Sequence, residues 1–245
     1  MPLRIAWDLD GVLADMETGL LHQAEALFGD KIKRRRSEAA EASPDPASPR
    51  EGAGEAAAEA PPPVLTLDLT SRQLQRLWRH VETVEGFWES LKEIEPGAVE
   101  RLGKIAADRR WEVIFLTRRP ESAGATAQVQ SQRWLEANGF RLPSVYVVQG
   151  SRGRIAAALA LDIVVDDRPQ NCFDVCADSH ARAILVCRDE DPIAATAAKR
   201  LGIGVVKSVN DCLDILAKMD AAAPGGGGIV DRVMRRLGLK DAASL

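Results

Sequence analysis

Apolar positions along the chain fall into short blocks. LRIAW (3–7), EVIFLT (112–117), SVYVVQ (144–149), DIVVDD (162–167), ARAILVC (181–187) and GIGVVK (202–207) are rich in β-branched residues. None alternates strictly between polar and apolar, which is the pattern of a strand covered on both faces. Helical patterns separate the blocks. In GAVERLGKIAADRR (97–110), Val99, Leu102 and Ile105/Ala106 share one stripe. Residues 123–138 run to Asn138-Gly139, a helix stop. RGRIAAALA (152–160), 191–201 and 209–219 continue the alternation. Strand–helix repetition predicts an α/β fold, a three-layer Rossmann-like parallel sheet with helices on both faces. Such sheets bind ligands beyond the carboxyl ends of their strands.

The pattern breaks between the first two strands, over roughly 16–95. METGLLHQAEALFG opens the detour as an amphipathic helix. Residues about 34–62 are rich in Ala, Glu, Pro, Ser and Gly and lack large apolar groups. They bury too little to offset ordering entropy, so a disordered loop is expected there. The basic run Lys31–Arg36 reads as the solvated end of a helix. Helicity returns at Ser71, a candidate N-cap, in SRQLQRLWRHVETVEGFWESL. The organisation expected is a core of 1–15 and 96–220, with a small helical cap, 16–95, inserted after the first strand. A Gly-rich linker and terminal amphipathic helix follow in 221–245, where Ile229, Val230, Val233 and Leu237 share a face. That helix is expected to attach loosely, with docking on the body or on a second copy in a homodimer as alternatives.

Polar residues cluster where the strands end. IAWDLDGVLAD places Asp8, Asp10 and Asp15 directly after the first strand and around a glycine. Thr117 closes the second strand, and Asp166 and Asp167 close the fourth. Three strands therefore deliver polar groups to one rim. Crowded carboxylates repel, so a cation is expected among them.

Composition narrows the partners. The 245 residues carry 32 basic and 36 acidic side chains, a net charge of −4, which gives no electrostatic case for a nucleic acid polymer. No run reaches the ~18 apolar residues of a membrane span. MPLRIAWD meets acids too early for a signal peptide, so a reducing cytoplasm is expected. Cys172, Cys176, Cys187 and Cys212 lack a second Cys/His pair at zinc spacing and read as free buried thiols.

An all-carboxylate rim suits Mg2+, a hard cation that keeps several waters. Asp8 and Asp166 are candidate ligands, with Asp10 adding its carbonyl. Magnesium in a strand-end cleft suits phosphate substrates. A carboxylate there can attack phosphorus and form an aspartyl-phosphate, and a second acid two residues on can serve the leaving oxygen and then water.

DLDGVLAD resembles the first motif of the haloacid dehalogenase-like (HAD) phosphohydrolases, Thr117 in IFLTRR their second, and VVDDRPQN (from 164) their fourth. A cap-sized insertion follows the first motif, as in that superfamily. DGVLADMETGLL, EGFWESLKEIEPGAVERL and RWLEANG further resemble the 5'(3')-deoxyribonucleotidases and their bacterial relatives. The resemblance implies a Mg2+-dependent phosphatase acting on a small phosphorylated metabolite or nucleoside monophosphate. It makes Asp8 the nucleophile and a metal ligand. Asp10 becomes the general acid/base and a carbonyl ligand. Thr117, with the Arg118 backbone, would bind the phosphoryl group. Asp166 would hold the metal, with Asp167 as ligand or behind it. Phe87 and Trp88 fall where cap aromatics surround the nucleoside in that family, with core packing as their alternative.

One position departs from the pattern. The third motif normally supplies a lysine, and QGSRGRIAAALALDIVVDD has none. Arg152, 14 residues before Asp166, best matches the slot, and Arg154 is the runner-up. Arginine is planar and bidentate, and no simple equivalent of lysine. That substitution, the insertion and the tail favour an alternative: a weak or inactive member binding phosphate or a protein partner. The Asp8/Asp10 pair favours the enzyme, and its second acid argues against a dehalogenase.

Overall fold

A computed structural model describes residues 2–29, 67–188 and 192–220. The expected loop 34–62, the basic run Lys31–Arg36 and the tail beyond residue 220 lie outside the described residues.

The chain alternates between strands and helices. Strand β1 (Arg4–Asp8) precedes helices α1 (Met16–Phe28) and α2 (Ser71–Val81), a 3-10 turn at Phe87–Glu89, and α3 (Ala98–Arg109). Then follow β2 (Glu112–Thr117), α4 (Ala127–Ala137), β3 (Ser144–Val147), α5 (Arg152–Ala158) and β4 (Ile163–Asp166). The chain continues with α6 (Pro169–Asp178), β5 (Arg182–Val186), α7 (Pro192–Arg200), β6 (Gly204–Val206) and α8 (Val209–Asp220). The strands form one six-stranded sheet in the order β3-β2-β1-β4-β5-β6, every pairing parallel. The predicted α/β layering is therefore the observed one.

Alternation along each strand builds two cores. Ile5, Trp7, Phe115, Ile163 and Val165 pack on one face with α3, α4 and α8. Ala6, Ile114, Leu116, Val164 and Leu185 pack on the other with Ala156, Cys172 and Val175. Leu20, Leu77, Trp78, Phe87 and Trp88 join the first cluster, so the excursion after β1 shares its apolar core with the sheet. Within it, His80 Nε2 and Gln23 Oε1 lie 3.0 Å apart, and Arg76 stacks 5.5 Å from the Phe28 ring.

Three local expectations need correction. The cap of α2 is Thr70, one residue before Ser71: Thr70 accepts from Gln73 N, and the Gln73 side chain accepts from Thr70 N. That reciprocal pair satisfies two first-turn donors at once, which Ser71 from inside the helix cannot do. Helix α6 is absent from the sequence pattern, because Pro, Gln, Asn and Asp interrupt its apolar residues. Cys176 is exposed, whereas Cys172 and Cys212 are buried; all four cysteines are free.

Order β3-β2-β1-β4 reverses direction at β1: the chain steps outward from β1 through β2 to β3, then crosses back to β4 on the other side of β1. Beyond the carboxyl ends of β1 and β4 the crossover helices diverge, and a crevice opens there.

Candidate active site

The segment after β1 is a tight turn. Leu13 and Ala14 donate to Leu9 O, and Gly11 adopts φ +87. A Cβ at Gly11 would stand 2.0 Å from Asp167 Oδ2, so this backbone passes against the loop after β4. Arg188 fastens the turn, donating to Gly11 O at 2.5 Å and Val12 O at 2.8 Å. Glu95 holds Arg188 at 3.0 Å and accepts from the Val209 and Asn210 amides that open α8. Of the three acids in IAWDLDGVLAD, Asp15 is a helix cap, accepting from Thr18 N at 3.0 Å.

Asp8 and Asp10 turn into the crevice. Asp8 ends β1 beside Leu116 and is buried. Arg152 starts α5 with a side chain 6% exposed. Its Nη2 donates to Asp8 Oδ1 at 2.8 Å, and its Nε stands 3.7 Å from Asp166 Oδ2. Arg154 has an 85% exposed side chain and stands 4.0 Å from Asp178. Of the two candidates, only Arg152 reaches the acids. Gly153 fixes this placement, because a Cβ there would meet Asp174 O of α6 at 2.0 Å.

Asp166 is 1% exposed. It accepts from Arg168 N at 2.8 Å and from Asn171 Nδ2 at 3.0 and 2.9 Å. Asp167 Oδ1 is buried without a hydrogen-bond partner. Burial and then the adjacent Asp167 push Asp166 up to about 6. Burial and then Asp8 push Asp167 up to about 7. Burial and the Asp166 charge raise Asp8 well above the carboxylate range, against the opposing pull of Arg152. Burial and mutual repulsion disfavour ionising the three acids together, and a cation among them would relieve both.

Thr117, fully buried, donates its hydroxyl to Asp10 Oδ2 at 2.9 Å. Its single proton is thus engaged by the acid instead of facing the cleft. Arg118 does line the cleft, with Asp8, Asp10, Arg152, Arg168 and Asn171, and donates to Gln149 Oε1 at 3.2 Å. Phe87 and Trp88 do not line it. They are 1% and 0% exposed, stack edge to face at 4.8 Å, and Trp88 Nε1 donates to Pro120 O. The expectation that they touch substrate is corrected by their burial. A 3-10 turn presses both rings into the shared core.

Sequence reasoning overlooked Arg119, which chelates Asp10, and Asn171, which steadies Asp166. Both lie inside quoted motifs, IFLTRR and VVDDRPQN. A second arginine beside Thr117 was the available signal.

The donor set fits a hard divalent cation in kind. All donors are oxygens, and the orphaned Asp167 Oδ1 is a ligand atom in waiting. Among the described residues no three Asp, Glu, His or Cys side chains form a ligand cluster. Mg2+ requires only one or two carboxylates besides waters and phosphate oxygens.

No protein-family description and no curated protein matches the chain. Solved structures do share its fold. A HAD family hydrolase from Deinococcus radiodurans R1, with bound phosphate and sodium, superposes with TM-score 0.52 at 17% identity. That match covers 92% of this chain and 99% of the other. A Thermotoga maritima protein provisionally described as a β-phosphoglucomutase matches at 0.50 and 15%, covering 88% and 99%. At these identities the likeness establishes the fold alone, a six-stranded parallel α/β sheet. No helix among the described residues is long and apolar enough to cross a membrane.

Proposed function

We propose that the chain is a Mg2+-dependent phosphomonoester hydrolase of the HAD superfamily. The supporting observation is the convergence of Asp8, Asp10, Arg152 and Asp166 at the carboxyl ends of β1 and β4. Asp8 attacks phosphorus as the bond to the leaving oxygen breaks, giving an aspartyl-phosphate. Asp10 gives its proton to that oxygen, then takes one from the water that releases phosphate and restores Asp8. Arg152 neutralises charge on Asp8 and on the phosphoryl oxygens. Asp8, Asp166 or Asp167, and the Asp10 carbonyl would hold magnesium. When bound, it supplies charge neutralisation at the phosphoryl group.

The substrate class is a small phosphorylated metabolite, with nucleoside monophosphates first among them, on the resemblance of the segments flanking the first motif. The insertion 16–95 acts as its cap, and the protein works in the cytoplasm. A second reading, phosphate binding without turnover, is favoured by the Arg152–Asp8 hydrogen bond, which engages one oxygen of the nucleophile.

Hydrolysis of p-nitrophenyl phosphate with Mg2+ and with EDTA decides between them. The enzyme reading expects metal-dependent turnover, lost in Asp8→Asn and cut by roughly 100- to 10,000-fold in Asp10→Asn. Turnover that survives either change removes the assigned roles, and absent turnover with phosphate-dependent stabilisation supports the binder. A panel of nucleoside monophosphates then tests the substrate class.

A further inference from the structure

Arg119 is one of the largest fully buried side chains in the molecule, and none of the roles above uses it. Its side chain is 0% exposed, deep between β2 and α4. Nε donates to both oxygens of Asp10, at 3.1 and 3.0 Å, and Nη2 donates to Oδ1 at 2.7 Å. Nη1 donates to Ser131 Oγ at 2.8 Å, and Ser131 in turn donates to Ala127 O. The guanidinium plane stacks on Trp88, 4.8 Å from the ring. Gln130, next to Ser131, accepts from Trp88 N at 3.2 Å.

A buried guanidinium gripped on three sides has no freedom to drift. Its fork fixes the carboxylate plane that it chelates, where a lysine would supply only a point charge. Asp10 sits on a turn containing Gly11, and among the described residues Thr117 is its one side-chain donor besides Arg119. Trp88 belongs to the segment inserted after β1, so the insertion reaches Asp10 through Arg119.

We propose that Arg119 is the positioning residue of Asp10, and that Trp88 and Ser131 set Arg119. This role rests on Asp10 being the acid/base of the hydrolase reading. Misplacing a catalytic group by about 1 Å can cost roughly 100-fold in rate, whereas substrate affinity need not change.

The test is a kinetic double-mutant cycle in the full chain with Mg2+ and p-nitrophenyl phosphate. Arg119→Met is expected to lower kcat by roughly 10- to 100-fold with KM within about two-fold. Arg119→Lys restores part of that loss. In an Asp10→Asn background, Arg119→Met is expected to change kcat by less than about two-fold, because the group it positions is gone. Equal losses in both backgrounds, or a rise in KM alone, overturn the assignment while leaving Asp10's role intact. Absent turnover in the wild-type chain instead overturns the hydrolase reading, and an Asp10→Asn enzyme as fast as wild type removes Asp10's acid/base role; either takes this role with it. If Arg119→Met does not fold, Arg119→Lys and Ser131→Ala carry the cycle, with the same requirement that their effects vanish beside Asp10→Asn.

Discussion

Arg152 donates to Asp8 at 2.8 Å across 144 residues of sequence, and both side chains are nearly buried. A buried ion pair of this kind does not by itself argue for stability, but removing one partner strands the other. Arg152→Ala should therefore lower unfolding free energy by about 3 kcal/mol at pH 8. At pH 5 the loss should shrink, because Asp8 and Asp166 can take up protons in place of the lost cation. Urea unfolding at both pH values reads the difference. An equal loss at both would show that the pair is not electrostatic in origin.

Asp166 and Asp167 hold protons more tightly folded, at about 6 and about 7, than at their ordinary value of 3.8. Between those limits the folded chain binds more protons than the unfolded one, so stability falls as pH rises through roughly 4 to 7. In EDTA, the unfolding free energy should drop by on the order of 4 kcal/mol from pH 5 to pH 8. Millimolar Mg2+ should recover much of that loss at pH 8, since a bound cation favours the ionised acids. Calorimetry with and without metal checks both, and a metal-independent profile would remove the cation from this rim.

Gly11 combines φ +87 with a Cβ position 2.0 Å from Asp167 Oδ2. Gly11→Ala should displace Asp167 and strain the turn, costing about 1–2 kcal/mol from the backbone alone. Thermal unfolding and Mg2+ titration should both register the change. A variant with unaltered metal response would show that Asp167 does not serve the ion.

Glu95 joins two tasks, capping the first turn of α8 and holding Arg188 against the Gly11 and Val12 carbonyls. Burial raises its carboxyl, but the Val209 and Asn210 amides and Arg188 outweigh it, leaving the group lowered from 4.5. Glu95→Ala should cost about 1–2 kcal/mol as a lost cap. It should also slow turnover more than an α8 surface change such as Asp211→Ala, because the β1 turn loosens. Equal kinetics in the two variants would separate the cap from the site.

The chain's pattern alone settled the layers. Apolar β-branched runs without strict alternation read as strands of a sheet covered on both faces, and their carboxyl ends mark one rim, so the sequence places Asp8, Thr117 and Asp166 there. Tertiary structure decided which neighbours those groups meet. Arg152 and Arg154 lie two positions apart on one helix, about 200° around its axis, so one faces the acids and the other water. Only the packing of Gly153 on α6 says which. Likewise, Arg118 and Arg119 are adjacent in an extended segment and point opposite ways: one lines the cleft and the other is buried against Asp10. Local sequence sets a side chain's period, but the partner across the fold sets its direction, and hydrogen bonds between residues more than 100 positions apart leave no trace in either local pattern.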